Sequence, residues 1–410
     1  MDMITFLVKD PGGLFCIHAE ALADGGKNKV YYWTQYNYKY RDFAIGKDFG
    51  HLEKILYFDE YISKADCIVD FDVRGNDQIG EIRDRQPERS TFGSGWGCKL
   101  EDDRLMLKEF VKSWGLPMQP YKKITGMTAL REYLKANPKK YVKLNIFRED
   151  MESFYAPDYD TVELKLDEIS GNLGAHKETY DFVLEDPIET DVEIGFDGFF
   201  NGVDYSRPFL YGYELHKNLY IGKVSSVMPA PLEETMQAFK PLLQKLDYRG
   251  AISTEEKIVS MEKHYLLDFC ARLASPFTAG YTEWIRNWPM FVYGVGLKQN
   301  VAPDFGTKYV GAFALKSSEA LDMGVKINIK DPKKVKMIMP YGNKKGNYAI
   351  SGEDHVAVVI ASGDSVQEVL EQIHENAELV DGHGLDKDPL KGIDEIEGVI
   401  EEGEEAGIEF

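Results

Sequence analysis

Between residues 190 and 290, strand-like segments follow one another with barely enough chain between them to turn. They read DVEIGFDGFFNG, RPFLYGYEL, NLYIGKVS, RGAISTEEKIV and HYLLDFCARL. Short connections allow hairpins but not parallel crossovers, which need a dozen residues or more. Only PLEETMQAFKPLLQKLD, with helical spacing of its apolar residues, interrupts the series. The region is therefore expected to be α+β, an antiparallel sheet with a helix laid on it. Residues 1–95 read differently. MITFLVKD, KVYYWTQY and ADCIVDFDVRGND are strands, and PGG followed by HAEALAD is a turn and a helix. That alternation predicts a small parallel α/β unit. At the end of its last strand, Asp70 and Asp72 before Arg74-Gly75-Asn76 either line a ligand crevice or form a solvated turn.

A second α/β pattern begins near Gly93. In LEDDRLMLKEFVKSWG, Leu105, Phe110 and Val111 have helical spacing and Gly115 is the stop. MTALREYLKANP is an amphipathic helix ended by Asn-Pro, and KKYVKLNIF and YDFVLEDPI are strands. Beyond residue 290, VAVVIASG is a strand, and DSVQEVLEQIHENAELV is a helix capped by Asp364 or Ser365. The acidic tail KGIDEIEGVIEEGEEAGIEF is a short helix or an unstructured end. No repeat is seen, and 410 residues support two to four domains.

The net charge of −21 repels phosphate backbones, which disfavours duplex nucleic acid as a partner. Cys16, Cys67, Cys98 and Cys270 are far apart with no CxxC spacing, which argues against a zinc ribbon or a disulfide scaffold. MDMITFLVKDPGG lacks the basic start of a signal peptide, and no apolar run is long enough to span a membrane. The expected location is the cytoplasm.

One segment combines strand patterning with reactive side chains. In LLDFCARLASP, Asp268, Cys270 and Arg272 alternate, so on a strand they share one face, with Leu267, Phe269, Ala271 and Leu273 on the other. RGAISTEEKIV precedes it, and SMEK makes the return. A hairpin of this kind brings Glu255 toward Asp268. Two carboxylates beside an arginine suit magnesium and phosphate, because magnesium takes oxygen ligands and arginine forks a phosphate. Surface acids with an arginine partner would give the same pattern. Lys143 lies in an otherwise apolar strand, where a lysine is costly without an anion. Arg104 opens the helix after LEDD and can reach the same anion. Glu185 and Glu193 flank a Pro-containing hinge that can meet an adenine edge and ribose hydroxyls. His216 and His264 read as surface histidines rather than proton shuttles.

In this order the segments resemble the ATP-grasp superfamily, and within it phosphoribosylamine–glycine ligase. FG…CKLEDDRLMLKEFVKSWGLPMQPY is similar to that family's FG…LEGSKAFAKEFM…GIPTAEY, and YVKLN to its VIKAD strand. FVLEDPIETDVEIGFDGFFNG resembles VVIEEFLDGEEASFDAFVDG, LLDFCARLASP resembles VLEFNARFGDP, and VAVVIASGDSVQEVLEQI resembles VLCVTALGDTVAEAQ. The resemblance implies an ATP-grasp fold of mixed α/β and α+β class. Its parts would be a Rossmann-like N-terminal domain (1–95), two ATP-grasp subdomains (96–182 and 183–292), a small C-terminal α+β domain (293–385) and an acidic tail (386–410). It implies ATP and magnesium or manganese as cofactors. Arg104, Lys143, Glu185, Asp186, Ile188 and Glu193 would bind the nucleotide. Glu255, Asp268 and position 270 would hold metal, and Arg272 and Arg148 would face the transferring phosphate.

The sequence departs from the family in three places. The Gly-rich flap is replaced by IFREDMESFYA, where Arg148 would substitute for backbone amides. The substrate signatures QDHKR and GGMGAYSP are absent, which puts phosphoribosylamine and glycine in doubt. Cys270 stands where the family has a metal-binding Asn, and a thiol is a poor magnesium ligand. Divergent relatives with this pattern resemble those carried by bacteriophages, in which case the location is the host cytoplasm. The expected function is ATP-dependent amide formation through an acyl phosphate, from an amino acid and an amine-bearing nucleotide or sugar phosphate, by a monomer or homodimer. The alternatives are an ATP-binding regulator or assembly partner that has lost catalysis, and a ligase adding an amino acid to a modified nucleobase.

Overall fold

The computed structural model describes residues 3–35, 45–146, 153–190, 192–321, 323–349, 355–387 and 390–410. The first sheet holds β1 (Thr5–Lys9), β2 (Lys29–Trp33), β3 (Leu52–Lys54), β4 (Cys67–Asp70) and β5 (Ser90–Phe92). All pairings are parallel, in the order β3-β2-β1-β4-β5. The apolar runs in β1 and β4 are buried on both faces, as parallel strands require. The order reverses at β1, and there Asp10, Asp70 and Asp72 are buried. The turn after β4 is therefore not a solvated one: Lys9 meets Asp70 at 3.4 Å, and Val73 N–H donates to Asp72 at 2.7 Å.

The second sheet is antiparallel and small. It holds β6 (Tyr121–Thr125), β7 (Lys140–Leu144), β8 (Ser153–Ala156) and β9 (Asp181–Glu185), ordered β6-β9-β7-β8. Helices Met127–Ala136 and Tyr159–Leu173 cover it, and Leu130, Leu134, Leu166 and Ile169 form its own core with Val142 and Phe182. Asp158 caps the second helix by accepting from Thr161 N–H at 2.8 Å.

The third sheet has nine strands among the described residues. They are β10 (Glu193–Asn201), β11 (Phe209–Leu215), β12 (Leu219–Ser225), β13 (Arg249–Ser260), β14 (Lys263–Cys270), β15 (Tyr309–Ser317), β16 (Val335–Met337), β17 (His355–Gly363) and β18 (Leu385–Asp386). The order is β14-β13-β10-β11-β12-β15-β17-β16, with β18 beside β15. Pairing of β12 with β15 makes one sheet from segments on either side of residue 292. Helix Ala230–Lys245 packs on it through Leu232, Met236, Phe239 and Leu243, and Phe239 stacks on Phe269 with centroids 4.6 Å apart. Each such fully buried ring contributes about 1.5–3 kcal/mol by leaving water. Ser365, rather than Asp364, caps helix Val366–Ala377. The acidic tail forms helix Leu390–Glu405, after which Phe410 packs edge-on against Tyr213 at 4.9 Å.

Two expectations change. A bulge between Glu255 and Glu256 pairs Glu255 with Asp268 but Glu256 with Leu266, so Leu267 is an extra residue. It leaves the buried face that Phe269, Ala271 and Leu273 keep. His264 is not a surface residue: it is buried between Glu256 (2.8 Å) and Glu234 (3.3 Å). His216 is exposed and pairs with Glu395.

Candidate active site

A narrow cleft opens between the second and third sheets. Helix Arg104–Ser113 forms one wall, capped by Asp103, which accepts from Met106 N–H at 3.1 Å. Leu107 and Val111 anchor the helix in the core, while Arg104 and Lys108, one turn apart, share the cleft face. Arg104 is buried. It donates to the Leu144 carbonyl at 2.8 Å and meets Asp268 at 3.2 Å, so one guanidinium joins β7 to β14.

Lys143 and Glu185 are diagonal neighbours on β7 and β9, since Lys143 lies opposite Val183. Their charged groups meet at 3.2 Å, and Lys108 closes on the same carboxylate. Lys143 also donates to the Leu267 carbonyl at 3.2 Å, reaching the bulge. Burial pushes the Glu185 carboxyl up, but Lys143 and Lys108 outweigh it and hold the group below its ordinary value. Burial pushes Lys143 down, and Glu185 with Asp268 more than reverses that. For Lys108, burial wins over Glu185 and the amine sits below its ordinary value. The three form a buried ionic cluster with two cations on one anion, a surplus suited to a second anion.

A larger cavity of about 250 Å³ lies on one face of the third sheet, and its lining residue Glu255 pairs in register with Asp268 of the cleft. Beneath the cavity runs a row in register, Gly212, Gly195 and Glu255, which the ladder continues to Asp268 at the cleft. Glu255 has accessible surface because it lines this cavity, while protein surrounds its other sides. Burial, and then the charges of Asp268, Glu193 and Glu214, push its carboxyl up to about 8. A carboxylate so short of positive charge, beside a second carboxylate, fits a divalent cation that takes its other oxygens from substrate phosphates. Among the described residues no group of three or more His, Cys, Asp or Glu could hold an ion by itself. Burial pushes the Cys270 thiol well up, so it stays protonated and unsuited to magnesium.

Arg272, Glu193 and Asp186 have protein partners. Arg272 pairs with buried Glu101 at 2.9 Å, and Glu101 also accepts from Ala271 N–H at 2.6 Å. Glu193 meets Lys257 at 3.3 Å. Asp186 pairs with Lys140, and half-buried Ile188 lies in the connection from β9 to β10. Arg148 lies outside the described residues.

Sequence reasoning missed Lys108, Glu101 and Glu214. Lys108 was within reach of it, because an i, i+4 step from Arg104 puts it on the same helix face. Nothing local marks Glu101 as the partner of Arg272, or Glu214 as a cavity residue.

No known family profile and no curated protein matches the sequence. Solved structures do match the fold. Phosphoribosylamine–glycine ligase from Thermotoga maritima superposes with a TM-score of 0.66 at 16% identity, covering 93% of this chain and 98% of that one. The biotin carboxylase domain of 2-oxoglutarate carboxylase from Hydrogenobacter thermophilus, a complex with MgADP, ADP and bicarbonate, gives 0.70 at 12% identity with 99% of both chains covered. N5-carboxyaminoimidazole synthetase from Staphylococcus aureus gives 0.60 at 13% identity, covering 92% of this chain and 98% of that one. These are ATP-grasp proteins, and the chain has their multidomain ATP-grasp fold.

Proposed function

We propose that this protein is an ATP-dependent ligase that joins a carboxylate to an amine. The observation that carries the reading is the convergence of Arg104, Lys108 and Lys143 on a cleft that ends at Asp268 and Glu255. Cations at one end and paired carboxylates at the other match the needs of a bound nucleoside triphosphate and its metal. Magnesium or manganese fits beside Glu255 and Asp268, and when bound it supplies charge that offsets the phosphates.

The chain's own residues have the following roles. Glu185, Asp186 and Ile188 edge the adenine, and Glu193 accepts from ribose hydroxyls. Arg104, Lys108 and Lys143 hold the phosphates, and Lys143 and Lys108 exchange their contact with Glu185 for that anion. Arg272, held in direction by Glu101, faces the transferring phosphoryl together with Arg148. The substrate carboxylate attacks the γ-phosphorus and ADP leaves. The amine then adds to the acyl carbon, loses a proton and expels inorganic phosphate, leaving an amide. Catalysis of this kind is positioning and electrostatic stabilisation, with no protein nucleophile. The sequence resemblance extends the reading to an amino acid as the carboxylate and an amine on a nucleotide or sugar phosphate as acceptor.

Two features favour a second reading, an ATP-binding protein without turnover: the thiol at Cys270, and Glu185 already paired with both lysines. A screen for magnesium-dependent phosphate release across amino acids and amines decides between them. Turnover with any pair supports the ligase; tight ATP binding with no turnover supports the second reading.

A further inference from the structure

We infer that the cavity beside Glu255 receives the amine substrate, and that this amine is unphosphorylated and carried on an apolar body of about the size of an aromatic ring. This rests on the ligase reading but replaces the nucleotide or sugar-phosphate acceptor with an unphosphorylated one.

Size and shape come first. An apolar cavity of about 150 Å³ takes benzene, so one of about 250 Å³ takes a ring and a short chain. Its floor is bare backbone, because Gly195 and Gly212 face each other across β10 and β11. A Cβ at Gly212 would come 2.1 Å from the Ile221 carbonyl oxygen, and one at Gly195 would come 2.9 Å from that of Thr254. Glycine inside a strand lets a ligand approach the backbone closely. One side is aromatic. Phe277 stacks on Tyr220 at 6.0 Å, and Tyr281 and Trp284 continue the aromatic side.

Charge then selects the ligand. Glu193, Asp197, Glu214 and Glu255 all line this space. Tyr220 donates to Asp197 at 2.8 Å and Lys257 meets Glu193 at 3.3 Å, so those two have partners. Glu214 and Glu255 face the cavity. Among the described residues no arginine lines it, and its basic residues, His216 and Lys217, are exposed on the turn between β11 and β12, where His216 is tied to Glu395. Such a lining repels phosphate and carboxylate and attracts an ammonium group, and the aromatic faces add cation–π attraction.

Calorimetric titration of the full chain tests this, with 2-phenylethylamine, 3-phenylpropionate and ribose 5-phosphate as probes and ATP titrated separately. The amine is expected to bind, while the acid and the sugar phosphate do not. Glu214→Gln is expected to weaken amine binding tenfold or more, and Ala274→Phe, which fills the space, to remove it. Binding of ribose 5-phosphate but not of the amine, with ATP still bound, overturns this inference and leaves the ligase reading standing. Amine binding indifferent to both substitutions overturns it as well. Failure to bind ATP overturns the ligase reading, and this inference with it.

Discussion

Glu255 of β13 and Asp268 of β14 are direct cross-strand neighbours in an antiparallel ladder. Like charges so placed repel. Arg104 offsets part of that repulsion by meeting Asp268 at 3.2 Å. The pair is costly to the fold and suited to a cation, which is why it anchors the functional reading.

Asp268→Asn is expected to abolish magnesium-dependent phosphate release, because it removes one of the two carboxylates. Circular dichroism checks that the fold survives. A folded variant with normal magnesium dependence would rule out the metal role.

Lys143→Ala is expected to weaken ATP binding about 10- to 100-fold, the worth of one charge-assisted hydrogen bond of about 1.5–3 kcal/mol. Calorimetry reads this directly. Unchanged affinity would refute the phosphate role.

Glu185→Gln leaves Lys108 and Lys143 close together with no anion between them. Breaking a buried ionic cluster this way costs about 3–5 kcal/mol. Urea unfolding should show that loss, and saturating ATP should recover part of it by resupplying the anion. A loss that ATP does not touch would separate Glu185 from the nucleotide site.

Asp10 sets a pH dependence of stability. Burial, opposed by the Tyr32 hydroxyl (2.6 Å), pushes its carboxyl from 3.8 up to about 7. Between those values the folded chain holds a proton that the unfolded chain has released, so this group's contribution falls as pH rises from about 4 to about 7. Asp10→Asn should flatten that slope in thermal melts and stabilise the protein above pH 7, by at most about 4 kcal/mol. A melting profile with the same slope as the parent would exclude Asp10 as its source.

Cys270→Asn should keep or raise turnover if position 270 touches the metal, since an amide oxygen suits magnesium better than a thiol. An inactive but folded variant would instead assign the thiol a role of its own.

Much of this was legible locally. Apolar alternation marked β10 to β14, and the short turns made them antiparallel. The apolar setting of Lys143 marked a buried cation before any partner was known. What was not legible depended on register and long-range pairing. The bulge at Leu267 leaves no signature in LLDFCARLASP, yet it aims a carbonyl at Lys143. His264 read as exposed because its partners Glu256 and Glu234 become neighbours only when β13, β14 and helix Ala230–Lys245 pack together.

The sequence by itself determined which segments are strands and helices, because periodicity and turn chemistry act over a few residues. It also determined which side chains are chemically equipped for phosphate and metal. Only the tertiary structure decided which of them meet. Glu101 reaches Arg272, Glu185 takes both Lys108 and Lys143, and the Gly212–Gly195–Glu255–Asp268 row forms across four strands. Those contacts join residues far apart in the chain, and strand register, which core burial sets for the whole sheet, fixes them.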